Sequence, residues 1–168
     1  MVKDDKKMAQ VLRWQIGEAV LDGPPLAAAI GNFDGVHRGH QKVVAAACDA
    51  AKRDGLVPAV ITFDPHPREF FRQEDASFHL ADRTEKDRLL SNLDVDRIIH
   101  VSFDEALRRT DAEDFVSSVL PALGVKQLFA GSDFAFGRGR GGQIDTINDF
   151  GASVGIAAVS VALLQDEN

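Results

Sequence analysis

Short apolar runs alternate with longer stretches of helical spacing along most of this chain. Runs rich in Val, Ile, Leu, Phe and Ala, bounded by Gly, Pro or Asp, are typical of buried strands. The pattern predicts five such strands, at residues 25–33, 56–63, 97–103, 126–131 and 156–164. A possible short strand within residues 11–21 precedes them.

Helical spacing separates these strands. Helices are predicted over residues 39–54, 84–92, 110–123 and 144–152. Thr110 and Glu113 have the spacing of a capping box at the start of the third helix. The polar, proline-interrupted stretch 64–82 predicts an irregular loop that is long enough to be functional.

Strands that alternate with helices predict an α/β fold, with a parallel five-stranded sheet and helices on both faces. We expect residues 1–22 to form an N-terminal extension and residues 23–168 to form one domain. Ligands of such sheets bind outside the carboxyl ends of the strands. The segments GNFDGVHRGH, TFDPHP and GSDFAFGRGRGG follow the first, second and fourth strands, so we expect them to converge on one site.

Composition narrows the function classes. A hydrophobic fraction of 45% and a charged fraction of 27% are ordinary for a soluble globular protein. A net charge of −7 argues against general nucleic-acid binding. No apolar run has the length of a transmembrane helix or the character of a signal peptide, which predicts a cytoplasmic protein without a membrane partner. Cys48 is the only cysteine, which excludes an internal disulfide, and we expect an inert buried thiol.

The segment GNFDGVHRGH carries the strongest chemical signal. His37 and His40 are three residues apart, so they share one face of a first helical turn, and Gly39 between them lets a ligand approach the backbone. A helix N-terminus attracts phosphate through its N–H groups and its dipole. The alternatives are surface histidines or a zinc pair, and zinc would need a third ligand from His66, His79, His100 or carboxylates.

The two later segments suggest the other parts of a site. In TFDPHP, two prolines hold Phe63, Asp64 and His66 in a rigid order, and an aromatic ring there could stack on a planar ligand. An ordinary proline turn is the alternative. In the third segment, Gly137, Gly139 and Gly142 match the dinucleotide pattern GxGxxG, but they do not directly follow the strand. Two arginines among the glycines favour a mobile cationic loop over a phosphorylated ligand.

The three segments, in this order and at this spacing, closely resemble the adenylyltransferase module of the prokaryotic bifunctional riboflavin kinase/FAD synthetase family. The resemblance runs from about residue 28 to the end of the chain. It implies a Rossmann-like nucleotidylyltransferase fold, and it implies FMN adenylyltransferase activity, in which ATP and FMN give FAD and pyrophosphate with Mg²⁺.

The resemblance also implies roles for individual residues. His37 and His40 would be catalytic and hold the phosphates of ATP, with Arg138 and Arg140 flanking phosphates and no metal ligand from the protein. Nucleotide binding is implied for Gly31, Asn32, Phe33, Asp34, Gly35 and Gly39. Flavin binding is implied for Phe63, Asp64, Pro65, His66, Asp133, Phe134 and Phe136.

Two departures from the family pattern shape the functional expectation. The 168 residues contain neither a riboflavin kinase module nor the ISSTxIR motif that follows in the family. We therefore expect a domain truncated at its C-terminus, as a fragment of a longer parent chain with that kinase module or as a short form, with weak turnover. The alternatives are a non-catalytic flavin- or nucleotide-binding fragment, and another HxGH nucleotidylyltransferase acting on pantetheine phosphate or glycerol phosphate.

Overall fold

The described part of the chain forms one parallel sheet. The computed structural model describes residues 8–64 and 76–162, apart from the side chains of Asp34 and of residues 76–82. Its strands are β1 Gln10–Trp14, β2 Leu26–Ile30, β3 Val57–Asp64, β4 Arg97–Ser102, β5 Val125–Gly131 and β6 Ala157–Val161. They lie in the order β1-β4-β3-β2-β5-β6, and every neighbouring pair is parallel.

Helices connect the strands. They are α1 Arg38–Asp54, α2 Ala76–Ser91, α3 Glu105–Arg109, α4 Ala112–Asp114, α5 Leu120–Ala122 and α6 Ile144–Gly151. The segment Phe115–Val119, between α4 and α5, is a π-helix. Three-residue 3₁₀ turns occupy Asp34–Val36, Arg138–Arg140 and Ala152–Val154.

The central strand β2 is buried on both faces, with no residue more than 2% exposed. Ala27 and Ala29 pack into one apolar layer together with α1. Leu26, Ala28 and Ile30 pack into the opposite layer together with the segment between β4 and β5. Alternate side chains of a strand point to opposite faces, so this one strand contributes to both cores.

The order of the strands reverses beside β2. From β2 the chain passes through α1, β3 and α2 to β4, all toward one edge of the sheet. It then crosses the other face of the sheet through residues 105–122 to reach β5 and β6 on the far side of β2. In open α/β sheets the ligand crevice lies at such a reversal, outside the carboxyl ends of the strands.

The α/β class, with a parallel sheet and helices on both faces, is confirmed, but the predicted number of five strands is wrong. The sixth strand is β1, which the sequence indicated only as a possible strand inside the N-terminal extension. It pairs with β4 at the edge of the sheet, and Gln10, Val11 and Arg13 are exposed. An edge strand with exposed side chains has a weak apolar signal, which explains the miscount.

The predicted irregular loop over 64–82 is too long, because α2 begins at Ala76 rather than near Thr84. Polar contacts attach this helix to the sheet. Arg83 forms an ion pair with Asp64, and Asp87 Oδ1 lies 2.7 Å from the buried His100 Nε2. The buried Leu90 lies near the C-terminal end of α2, within the predicted segment 84–92, whereas the contacts of Arg83 and Asp87 are polar and give no apolar pattern.

The predicted capping box at Thr110 and Glu113 is also wrong. The Asp111 carboxylate caps the helical segment that begins at Ala112, since it accepts a hydrogen bond of 3.0 Å from the Asp114 amide. The Thr110 hydroxyl instead donates to the Ala106 carbonyl at 2.7 Å, at the end of α3. Aspartate caps helices as well as threonine does, and here the cap is one residue further along.

Close packing at the end of α6 generates a stability test. A β-carbon at Gly151 would lie 2.6 Å from the backbone oxygen of Ile156. We expect Gly151→Ala to lower the free energy of unfolding by about 1–3 kcal/mol, because the backbone must shift. Gly141→Ala is the control, since its β-carbon would meet nothing nearer than 3.6 Å. Urea denaturation of both variants measures the difference, and equal stabilities would contradict the close approach.

The single thiol offers a second test. Burial, followed by the negative charge of Asp94, raises the pKa of Cys48 to about 11 from its usual 9.0. The thiolate is the species that reacts with iodoacetamide. We expect alkylation at pH 8 to be about a hundredfold slower in the folded protein than in urea, in line with the two-unit difference in pKa. Mass spectrometry measures both rates, and similar rates would show that the thiol is not protected.

Candidate active site

A cavity of about 730 Å³ opens at the carboxyl edge of the sheet, where the strand order reverses. This volume is in the usual range for a site that binds a small molecule. Residues from all three of the segments singled out in the sequence contribute to its wall. The predicted site residues that line it are Gly31, Asn32, Phe33, His37, His40, Phe63, Asp133, Phe134, Phe136, Arg138 and Arg140.

The other predicted site residues lie elsewhere. Gly35 is exposed, Gly39 is buried within the first turn of α1, and neither lines the cavity. Asp64 is also absent from the wall, and its carboxylate forms ion pairs with Arg13, at 3.1 Å, and with Arg83. Asp34 lies in the 3₁₀ turn, while Pro65 and His66 fall outside the described residues. Their binding roles stay predictions.

A left-handed turn carries the chain from β2 to α1. Phe33, Gly35 and Val36 have positive φ angles of 54°, 70° and 48°. For Phe and Val this conformation is unfavourable, so the surrounding packing must hold it. Both side chains are buried, and the Phe33 ring meets the His40 ring edge-on at 5.3 Å between centroids. Backbone strain in this turn thus accompanies the placement of His40 at the cavity.

The two histidines cap α1 reciprocally. His37 Nδ1 accepts hydrogen bonds from the amides of Gly39, at 3.2 Å, and His40, at 3.4 Å. His40 Nδ1 accepts from the His37 amide at 3.1 Å, and the two rings stack with centroids 3.5 Å apart. Because both Nδ1 atoms act as acceptors, the hydrogen-bond pattern assigns both rings as neutral tautomers with the proton on Nε2.

This tautomer decides what the helix terminus can do chemically. The amides of Gly39 and His40 are already taken by His37 Nδ1. An anion in the cavity would therefore meet the imidazoles, which line its wall, and the dipole of α1, rather than those two amides. Neutral imidazole donors can stabilise negative charge that develops on a phosphoryl group without giving up a proton.

A polar network fixes the end of β2 beside the histidines. The Asn32 carbonyl accepts from the Thr62 hydroxyl at 3.2 Å and from Lys86 Nζ at 2.9 Å. Lys86 Nζ also lies 3.3 Å from the Thr62 hydroxyl. Among the described residues, the buried Asn32 Oδ1 has no hydrogen-bond partner. The residue Asn32 lines the cavity, but this oxygen itself is buried.

Phenylalanine rings form the apolar part of the wall. Phe134 and Phe136 stack with centroids 5.7 Å apart, and Phe115 lies 5.1 Å from Phe136. Phe63 and Phe103 meet edge-on at 6.5 Å. Such a set of rings can enclose a large planar ligand by stacking.

The glycine-rich loop is fastened to the segment that crosses the sheet. The Arg138 amide donates to the Thr110 carbonyl at 2.8 Å, and a β-carbon at Gly137 would lie 2.9 Å from the backbone of Ala112. Phe136 and Gly142 exchange two backbone hydrogen bonds, of 3.0 and 2.8 Å, across the loop. The loop is therefore held against this segment, and its Arg138 and Arg140 line the cavity wall.

Sequence reasoning did not single out the wall residues that follow β4. The signal that could have found them was topological, since the carboxyl end of β4 lies at the same edge as those of β2, β3 and β5. Phe103, Leu107 and Arg108 are the wall residues that follow β4. The other lining residues outside the predicted segments are Ile30 of β2, Val43 of α1 and Phe115 of the π-helix.

Within the described residues 8–64 and 76–162, His, Cys, Asp and Glu side chains do not gather in groups of three or more that could hold a metal ion. None of the helices in these ranges has both the length and the apolar character needed to cross a membrane.

The chain is similar in sequence and in fold to known proteins. The family model described as FAD synthetase matches residues 22–168. The bifunctional riboflavin kinase/FMN adenylyltransferase of Pseudomonas fluorescens is 40% identical over 129 residues, which cover 76% of this chain and 41% of that protein. The protein of the same name from Escherichia coli K12 is 36% identical, covering 78% and 42%. The FAD synthetase of Listeria monocytogenes is 33% identical, covering 86% and 58%.

This chain thus spans between 41% and 58% of the length of these relatives. A solved structure described as a macrolide-efflux protein from Streptococcus pneumoniae has a TM-score of 0.77 and 22% identity, and it covers 95% of this chain and 61% of that chain. At that identity the likeness concerns the fold alone. With the family match, the Rossmann-like nucleotidylyltransferase fold expected from the sequence is confirmed.

The reciprocal cap generates a test that does not depend on any ligand. We expect His37→Ala to lower the free energy of unfolding by about 1 kcal/mol, because two amides of α1 lose their acceptor. His37→Asn should stay within about 0.5 kcal/mol of the wild type, since asparagine also caps helices. Urea denaturation compares the three proteins, and equal losses in both variants would contradict the capping role.

Proposed function

The chain belongs to the FAD synthetase family, and from this premise we propose that it transfers the AMP moiety of ATP to FMN, producing FAD and pyrophosphate. The observation that carries the proposal is the composition of one cavity. The histidine pair that caps the start of α1 lines this cavity together with the phenylalanine rings, Arg138 and Arg140. The reaction needs this combination, since one product joins a planar flavin to a nucleotide through phosphates.

The reaction requires positioning and charge stabilisation rather than a general base. An oxygen of the FMN phosphate forms a bond to the α-phosphorus of ATP, and the bond from that phosphorus to the bridging oxygen of the β-phosphate breaks. Pyrophosphate leaves with the electron pair. The second pKa of a phosphate monoester is about 6, so the attacking oxygen is already anionic at neutral pH. The protein must align the two phosphates and neutralise charge.

The neutral imidazoles suit the triphosphate side of the site. His37 and His40 lie at the N-terminus of a helix of 17 residues, whose dipole favours anions. In our proposal their Nε2–H groups donate to phosphoryl oxygens, and the guanidinium groups of Arg138 and Arg140 flank the phosphates from the loop. Hydrogen-bond donors placed where charge develops are an effective source of catalysis, because they need no rearrangement during the reaction.

The phenylalanine wall suits the flavin side. We propose that the isoalloxazine ring lies among Phe63, Phe134 and Phe136, with Asp133 at the base of the loop. Mg²⁺ would enter with ATP, because this ion commonly binds through substrate phosphates and few protein ligands. The proposed cellular setting is the cytoplasm. The bifunctional relatives carry a riboflavin kinase in their names, and we propose that phosphorylation of riboflavin belongs to such a module rather than to this domain.

The direct test incubates the chain with ATP, Mg²⁺ and FMN and follows FAD by chromatography. We expect FAD and pyrophosphate in equal amounts. Riboflavin in place of FMN is the control and should give no FAD, because it lacks the attacking phosphate. FMN binding by calorimetry without any FAD would instead favour a non-catalytic flavin-binding module. Adenylylation of pantetheine phosphate or glycerol phosphate, with no binding of FMN, would favour another nucleotidylyltransferase.

The histidines allow a second test that separates catalysis from folding. We expect His37→Asn to reduce the rate of FAD formation about a hundredfold, because the charge-stabilising Nε2–H donor is lost while the helix cap is kept. The dissociation constant for FMN should change less than about twofold. Equal losses of rate and FMN affinity would indicate that His37 acts through the structure of the site rather than on the transferred phosphoryl group.

A further inference from the structure

Arg108 is a cation of the cavity wall that neither the sequence motifs nor the proposed roles include. It lies on α3, directly after the carboxyl end of β4, and lines the same cavity as the histidines. Its side chain is 41% exposed, and it is the only arginine of α3 that lines the cavity. The neighbouring Arg109 is 70% exposed and absent from the wall.

The fold places Arg108 across the sheet from the histidines. α1 packs on one face, in the layer of Ala27 and Ala29, whereas α3 belongs to the segment that crosses the opposite face. Arg138 hydrogen-bonds through its amide to Thr110, two residues from Arg108. Three arginines, Arg108, Arg138 and Arg140, thus line the wall from two segments that touch each other.

One carboxylate serves two guanidinium groups on α3. Arg108 Nε lies 2.9 Å from Glu105 Oε1, and Arg108 also forms an ion pair with Glu105 Oε2. Arg109 Nε lies 2.9 Å from the same Oε2 atom. Glu105 therefore keeps a cationic partner when Arg108 moves away, and the movement of Arg108 leaves no unpaired charge on this helix. An exposed pair of this kind is weak, so it competes poorly with a phosphate dianion.

We propose that Arg108 binds a phosphate oxygen of a bound substrate by exchanging its contact with Glu105, which Arg109 retains, for one with the ligand. The proposal rests on the proposed function, since it takes FMN and ATP as the ligands of this cavity. Arg108 would then be a substrate-binding residue that meets the phosphates from the face opposite the histidines. Arginine suits this role because its planar donors match two phosphate oxygens at once.

The test compares Arg108→Met with the matched control Arg109→Met, which alters the same ion-pair cluster outside the cavity. Calorimetry on the full chain measures dissociation constants for two pairs of ligands, FMN with riboflavin and MgATP with adenosine. In each pair, the first ligand carries phosphate and the second does not. We expect Arg108→Met to weaken binding of FMN or of MgATP at least about tenfold, as for loss of a charged hydrogen bond, and to change the phosphate-free partner less than about twofold. Whichever pair responds identifies the source of the phosphate.

Arg109→Met should leave all four dissociation constants within about twofold of the wild-type values. Arg108→Lys should recover part of the affinity that Arg108→Met loses. The proposal is overturned if Arg108→Met leaves FMN and MgATP unaffected, if it weakens the phosphate-free ligands equally, or if Arg109→Met has the same effect. Failure of the wild-type chain to bind either FMN or MgATP would instead overturn the proposed function, and the role of Arg108 with it.

Discussion

The burial of β2 on both faces is the constraint on which the rest of the structure depends. Its residues are at most 2% exposed, and it is hydrogen-bonded on both sides, to β3 and to β5. A strand in this position has no polar face, so its neighbours must supply two separate apolar layers. The side chains of Ala27, Ala28 and Ala29 are small, so the covering helical segments can pack close to the strand on either face.

The position of β2 also determines where chemistry can occur. The chain leaves the strand at Gly31 and must return as a helix on one face, while the path from β4 to β5 runs over the other face. The crevice between these two paths lies directly outside the end of β2. The imidazoles and the arginines therefore reach a shared space from opposite faces, and the polar contacts of Lys86 hold the strand end between them.

The sequence was most informative where one physical signal dominates. Fully apolar strands such as β2, and the motif residues directly after them, were predicted because parallel strands bring their carboxyl ends to one edge. The signal failed for β1, whose edge position exposes most of its side chains. It also failed for the start of α2, near which Arg83 and Asp87 make polar contacts.

The site residues also fall into those that the sequence predicts and those that it misses. His37 and Asp133 follow buried strands and Phe63 lies at the end of one, each within an unusual segment, and the structure places all three at the cavity. Arg108 stands in an ordinary amphipathic pattern, and only the tertiary path of residues 105–122 brings it to the wall. The π-helical turn at Phe115 leaves no pattern that can be distinguished from an α-helix in one sequence.

The reciprocal histidine cap has a consequence for how the protein responds to ligands. In His37 the acceptor Nδ1 and the donor Nε2 belong to one conjugated ring, so an anion at Nε2 increases the electron density on Nδ1. The hydrogen bonds to the amides of Gly39 and His40 then become stronger, as in other hydrogen-bonded chains. Anion binding and ordering of the first turn of α1 are therefore coupled, and thermodynamic reciprocity requires that a better-ordered turn also binds the anion more tightly.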